Sequence, residues 1–144
     1  MTNNLSGITQ SGVRSIAEKT ARLLENAAII LFGSRAQDRA AKTSDWDILV
    51  IADAFSSIRW LDRWMICTPL WETDLPVEVI CLTSQEARNS IRNGNPGVCD
   101  AFFDGLFLAG NRELFQEIKG MLHDSIEQGN LIRRAAGWEV FALI

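Results

Sequence analysis

Three carboxylates and one Gly-Ser pair carry the chemistry that can be read from this chain. Asp45 and Asp47 flank Trp46 and lead into the apolar run Ile48-Leu49-Val50-Ile51. On a β-strand, positions i and i+2 point to one face, so both carboxylates would face the same way. Two carboxylates that close repel, and one stays protonated unless a cation sits between them. Hard oxygen ligands in this number suit Mg²⁺, which takes one or two carboxylates together with substrate phosphates. Glu78, between Val77 and Val79 in a third apolar stretch, could be aimed at the same place by a neighbouring strand. Gly33-Ser34 ends another apolar run, Ala27 to Phe32. A residue without a side chain there lets a ligand approach the backbone. Ser34, at the start of a helical turn, offers free N–H groups and a hydroxyl to a phosphate. Each part has a plainer reading: Gly-Ser as a simple turn, Asp45 as a cap, Asp47 and Glu78 as solvated strand residues.

The elements that must position these residues follow from periodicity. The spacing of Val13, Ile16, Ala17, Thr20, Ala21 and Leu24 predicts a helix over 9–25, capped by Thr9 or Ser11. Continuous apolar runs predict buried strands over 27–32 and 45–52. A helical turn is expected over 34–41 and a helix over 57–71. Trp60, Trp64 and Trp71 would share one face of that helix, as core or as a partner surface. Pro76 opens a strand over 77–82. Helices are expected over 84–92, with Ser84 as cap, over 98–104 and over 112–128, with a short strand at 106–108. The order predicts an α/β (α+β) domain over 1–130, a small mixed β-sheet flanked by helices. The tail, 131–144, shows no period. Its Trp138 and Phe141 could dock on the domain itself or on a partner, since chain ends are normally polar.

The chain has 144 residues, 47% of them hydrophobic and 22% charged, which is one globular domain rather than a disordered chain. The net charge of -4 argues against non-specific binding to a nucleic-acid backbone. Cys67, Cys81 and Cys99 lack metal-ligand spacing and read as reduced core thiols. Lone His123 reads as a surface helix residue. No apolar run reaches the roughly 20 residues that span a bilayer, and no leader pattern opens the chain, so the expected location is the cytoplasm. Three alternative chemistries fail on their motifs. A P-loop needs G-x-x-x-x-G-K-[ST] and a dinucleotide fold needs G-x-G-x-x-G, neither of which follows Phe32. In a phosphatase of the haloacid-dehalogenase type the apolar strand precedes the first Asp, whereas here it follows.

Gly33-Ser34, a ten-residue spacer from Arg35 to Ser44, then Asp45-Trp46-Asp47 and an apolar strand resemble the signature of the minimal nucleotidyltransferases. These belong to the polymerase-beta-like nucleotidyltransferase superfamily. The resemblance is strong over 27–50 and extends to Glu78. It implies a nucleotidyltransferase fold, ATP as substrate with Mg²⁺, two ions in the full site, and transfer of a nucleotidyl group to a hydroxyl. Gly33, Ser34 and Arg35 would bind the nucleotide. Asp45, Asp47 and Glu78 would be the metal and catalytic residues. Several members of the family are antitoxins paired with small helical HEPN-domain toxins, some of which they modify with AMP. A HEPN-type partner is therefore implied, and a homodimer stays open. The second reading is a protein-binding module that keeps the fold without efficient catalysis. Two departures bear on activity: Gln37-Asp38 stands where a basic residue and glycine are common, and Glu78 where many relatives have Asp.

Overall fold

The structure is a computed structural model that describes residues 2–36, 45–71 and 77–141, with the side chains of the first helix from Gly12 onward. In chain order it forms α1 (Thr2–Leu23), β1 (Ala28–Phe32), β2 (Trp46–Ile51), a 3₁₀ turn (Asp53–Ser57) and α2 (Trp60–Cys67). Then come β3 (Val77–Leu82), α3 (Ser84–Arg92), α4 (Pro96–Asp104), β4 (Leu106–Gly110), α5 (Arg112–Glu127), β5 (Leu131–Arg134) and β6 (Gly137–Val140). Four strands form one sheet in the order β3-β2-β1-β4. β1 runs antiparallel to β2 and β4, while β3 is parallel to β2, so the sheet is mixed as expected.

Alternation along the strands divides the core into two layers. Ile29, Leu31, Trp46, Ile48 and Val50 pack with Val13 and Ala17 of α1, Phe55 of the 3₁₀ turn, Cys67 and Trp71. Ala28, Ile30, Phe32, Leu49, Ile51 and Leu82 pack on the other face with α3, α4 and α5. Every residue of β1 is buried, which is why its sequence is apolar throughout rather than alternating.

Several expected boundaries differ. α1 begins near the chain start and runs through Thr9 and Ser11, so neither caps it. Gly33 to Ala36 forms a hydrogen-bonded turn, Ala36 N–H to Gly33 O at 3.1 Å, and the rest of the helical turn expected over 34–41 lies outside the described residues. The expected helix over 57–71 is divided. Ile58 and Arg59 are extended, and α2 covers only Trp60–Cys67. Asp53 accepts hydrogen bonds from the Ser84 N–H and hydroxyl at 3.1 and 2.7 Å, and Phe55 is fully buried, so the chain must reset before α2 can pack. The tryptophans therefore part company: Trp71 is buried beyond the helix end, while Trp60 and Trp64 are 56% and 53% exposed. The cap of α3 is Thr83, not Ser84. Thr83 and Glu86 form a reciprocal capping box.

The tail without a period is the β5–β6 hairpin. Trp138 Nε1 donates to Asp100 Oδ1 at 2.9 Å, and its ring meets Phe103 edge-on with centroids 5.5 Å apart. Over the described residues the hairpin thus docks on the domain's own α4, through Trp138 and through Arg133, which bonds to Asp104. All three cysteines are buried and free. His123 is exposed on α5, tilted against Phe103. No described helix is long and apolar enough to cross a membrane.

Candidate active site

The strand registers bring the predicted residues together. Phe32 lies opposite Asp47, and Asp47 lies beside Glu78. Asp47 alternates with Trp46 and Ile48, so it faces the α3–α5 side with Leu49 and Ile51. Glu78 alternates with Val77 and Val79 and faces the same side. Asp45, one residue before β2, completes the group. The carboxylates therefore gather where β1 ends and β2 and β3 begin, just outside the buried core. Asp45 and Glu78 are exposed and Asp47 is half-buried.

Gly33 joins the two halves of the site. It follows Phe32 directly, has a φ of +78°, and a Cβ placed on it would collide with Oδ2 of Asp47. Only glycine allows the Ser34 turn to close this tightly on the carboxylate. The electrostatics match the geometry. The carboxyl of Asp47 is held above its ordinary value of 3.8, first by burial, then by the charges of Glu78 and Asp45.

Among the described residues, no three of His, Cys, Asp and Glu converge closely enough to cage a metal ion. The all-oxygen donors and the crowded charge on Asp47 nonetheless suit Mg²⁺, which keeps several waters and relies on substrate phosphates for its remaining ligands. The residues fit an ion delivered with a nucleotide rather than a preformed protein cage.

Arg35 is placed differently from the carboxylates. Its guanidinium lies 4.7 Å from the ring centroid of Trp46. Trp46 is 2% exposed and enters the α1–α2 face. Arg35 is thus tied to the side of β2 opposite Asp47, a stacking worth about 0.5–2 kcal/mol. The residue between two metal-ligand candidates received no role from the sequence, although strict alternation already places it inside. Sequence reasoning also missed a groove of about 360 Å³ lined by Trp64, Thr68, Trp71, Val77, Glu78 and Val79. Only the pairing of α2 with the edge strand β3 brings those residues to Glu78.

Comparison with known proteins bears on the family and the fold. The family model described as "Nucleotidyltransferase domain" matches residues 13–105. No curated protein matches the sequence. Among solved structures, a candidate nucleotidyltransferase from Sulfolobus solfataricus is similar with 21% identity and a TM-score of 0.57, over 78% of this chain and 91% of that one. A toxin-antitoxin crystallised with AMP-PNP is similar with 19% identity and a TM-score of 0.51, over 83% of this chain and 89% of that one. At these identities the structures speak for the fold, and the family match spans most of the chain and includes every candidate site residue. This chain belongs to the nucleotidyltransferase-domain family.

Proposed function

We propose that the protein transfers a nucleoside monophosphate, AMP from ATP, to an acceptor hydroxyl in a Mg²⁺-dependent reaction. The observation that carries this reading is the closure of the Gly33–Ser34 turn on Asp47 with Glu78 alongside. The Gly33–Ser34 backbone and the Ser34 hydroxyl hold the triphosphate, and Asp45, Asp47 and Glu78 would hold one or two metal ions. When bound, Mg²⁺ offsets the phosphate charge and lowers the pKa of the attacking hydroxyl. The acceptor oxygen forms a bond to the α-phosphorus, the bond from that phosphorus to the bridging oxygen of the β-phosphate breaks, and pyrophosphate leaves. The hydroxyl proton passes to the Glu78 carboxylate. A cytoplasmic setting, where ATP and Mg²⁺ are abundant, goes with this chemistry.

The acceptor we favour is carried by a helical partner protein of the HEPN type, in an antitoxin role. A second reading, a binding module acting by complex formation alone, is favoured by the apolar ridge of α2, where Leu61 and Met65 are 75% and 61% exposed beside Trp60 and Trp64. Thermal unfolding with Mg²⁺ and AMP-PNP, singly and together, separates them. Catalysis predicts a rise in Tm that needs both ligands and is lost in Asp47→Asn. No rise, together with no heat of nucleotide binding, would leave the binding module as the surviving reading.

A further inference from the structure

The apolar side chains that α2 leaves in solvent form one face. Trp60 with Trp64, and Leu61 with Met65, are four residues apart, so each pair stacks along the helix and the two rows adjoin. Arg63 and Cys67 turn the other way, into the domain. Each of the four apolar side chains is more than half exposed. Together they leave roughly 600 Å² in water, the upper end for the largest apolar patch of a typical monomer. A specific interface takes about 600–1,000 Å² from each partner, so this face comes close to supplying one by itself.

Its charge suits a second copy of this chain. The chain carries a net charge of -4, yet the face carries none. Arg59 and Asp62, at its N-terminal end, pair with each other at 3.0 Å, and Arg63 is buried. Two copies can therefore meet here without like-charge repulsion. A two-fold axis between Leu61 and Met65 sets the two helices antiparallel, with Leu61 of one copy facing the partner's Met65. That arrangement lays the exposed Arg59 beside the C-terminal end of the other α2, the negative end of its dipole. Trp60 is already ordered for the contact. Its ring lies 5.1 Å from the Arg63 guanidinium, which Glu86 holds, so docking costs little side-chain freedom there.

We propose that α2 is the interface of a two-fold homodimer, in which Trp60, Leu61, Trp64 and Met65 of each copy cover those of the other. The dimer does not depend on the catalytic reading of the site. A different protein on the same face is the competing occupant.

Sedimentation equilibrium of the full chain should give twice the mass of one chain. Leu61→Glu and Met65→Glu should each give the monomer with an unchanged far-UV circular dichroism spectrum, since both side chains face solvent in the single chain. Leu23→Glu, at a comparably exposed apolar residue of α1, should leave the dimer intact. Under mild oxidation, Leu61→Cys mixed with Met65→Cys should cross-link unlike chains several-fold more than like chains, which intact mass distinguishes. A dimer that survives both glutamates, one lost equally in Leu23→Glu, or preferential cross-linking of like chains would overturn the proposal. So would a chain that stays monomeric at millimolar concentration, which would leave the face to a different protein.

Discussion

Gly33 is the residue on which the site turns. A side chain there must occupy the space of the Asp47 carboxylate and hold a left-handed backbone at φ +78°. The backbone alone costs about 1–2 kcal/mol for a non-glycine residue. Gly33→Ala should therefore lower the melting temperature and weaken AMP-PNP binding together, both readable by calorimetry. Asp47 acts in the opposite sense on stability. Its pKa is raised by burial and by Glu78 and Asp45, so the folded state favours the protonated form. The group therefore costs stability once pH rises above its folded value, and this cost disappears as pH falls below the ordinary 3.8. Asp47→Asn should raise the melting temperature at neutral pH, with the gain shrinking in acid. The same variant should lose the combined response to Mg²⁺ and nucleotide. A variant that unfolds more readily at neutral pH would contradict the crowding of charge at this position.

At the scale of elements, Arg63 joins α2, β3 and α3. It is 6% exposed, pairs with both carboxylate oxygens of Glu86, donates to the carbonyls of Ile58 and Cys81, and lies over Phe55 and Trp60. The Arg63 contact holds the Glu86 carboxyl below its ordinary value, with help from Thr83. That stabilisation is present above the unfolded value and is lost as pH falls through the folded one. Arg63→Met should destabilise the domain by about 2 kcal/mol in urea unfolding, below the range for fully buried pairs because Glu86 is partly solvated. Thr83→Ala, which removes the capping box, should cost about 1 kcal/mol. Both changes act on the frame that aims β3, so Glu78-dependent turnover should suffer more than nucleotide binding.

For the molecule as a whole, the C-terminal hairpin is part of the domain surface. Arg133 bonds to Asp104 at 3.1 Å and lies over Phe103, while Trp138 reaches Asp100. Trp138→Ala should release β5 and β6 from α4. Hydrogen exchange should then accelerate over 131–140 and leave the four-stranded sheet protected. Uniform acceleration through β1 and β2 would show instead that the hairpin and sheet unfold as one unit.

The residues with a strong local signature were legible from the chain alone. The buried run 28–32, Gly33, the alternation of Asp45 and Asp47 with Trp46, and the carboxylate within β3 depend on backbone geometry of a few residues, and these set the strands and the candidate residues that gather at the end of the sheet. What the tertiary structure alone decided involves partners distant in sequence. The division of the expected 57–71 helix follows from Asp53 bonding to Ser84 and Phe55 entering the core. The hairpin over 131–140 is too short to announce a period and forms against α4. Arg35 follows Ser34 directly, yet Trp46 draws it to the other face of β2. The groove beside Glu78 exists because α2 packs along an edge strand reached only after the chain has crossed from one to the other. Local sequence sets which way a side chain points from its own strand, whereas what it meets there depends on the packing of elements that no short window contains.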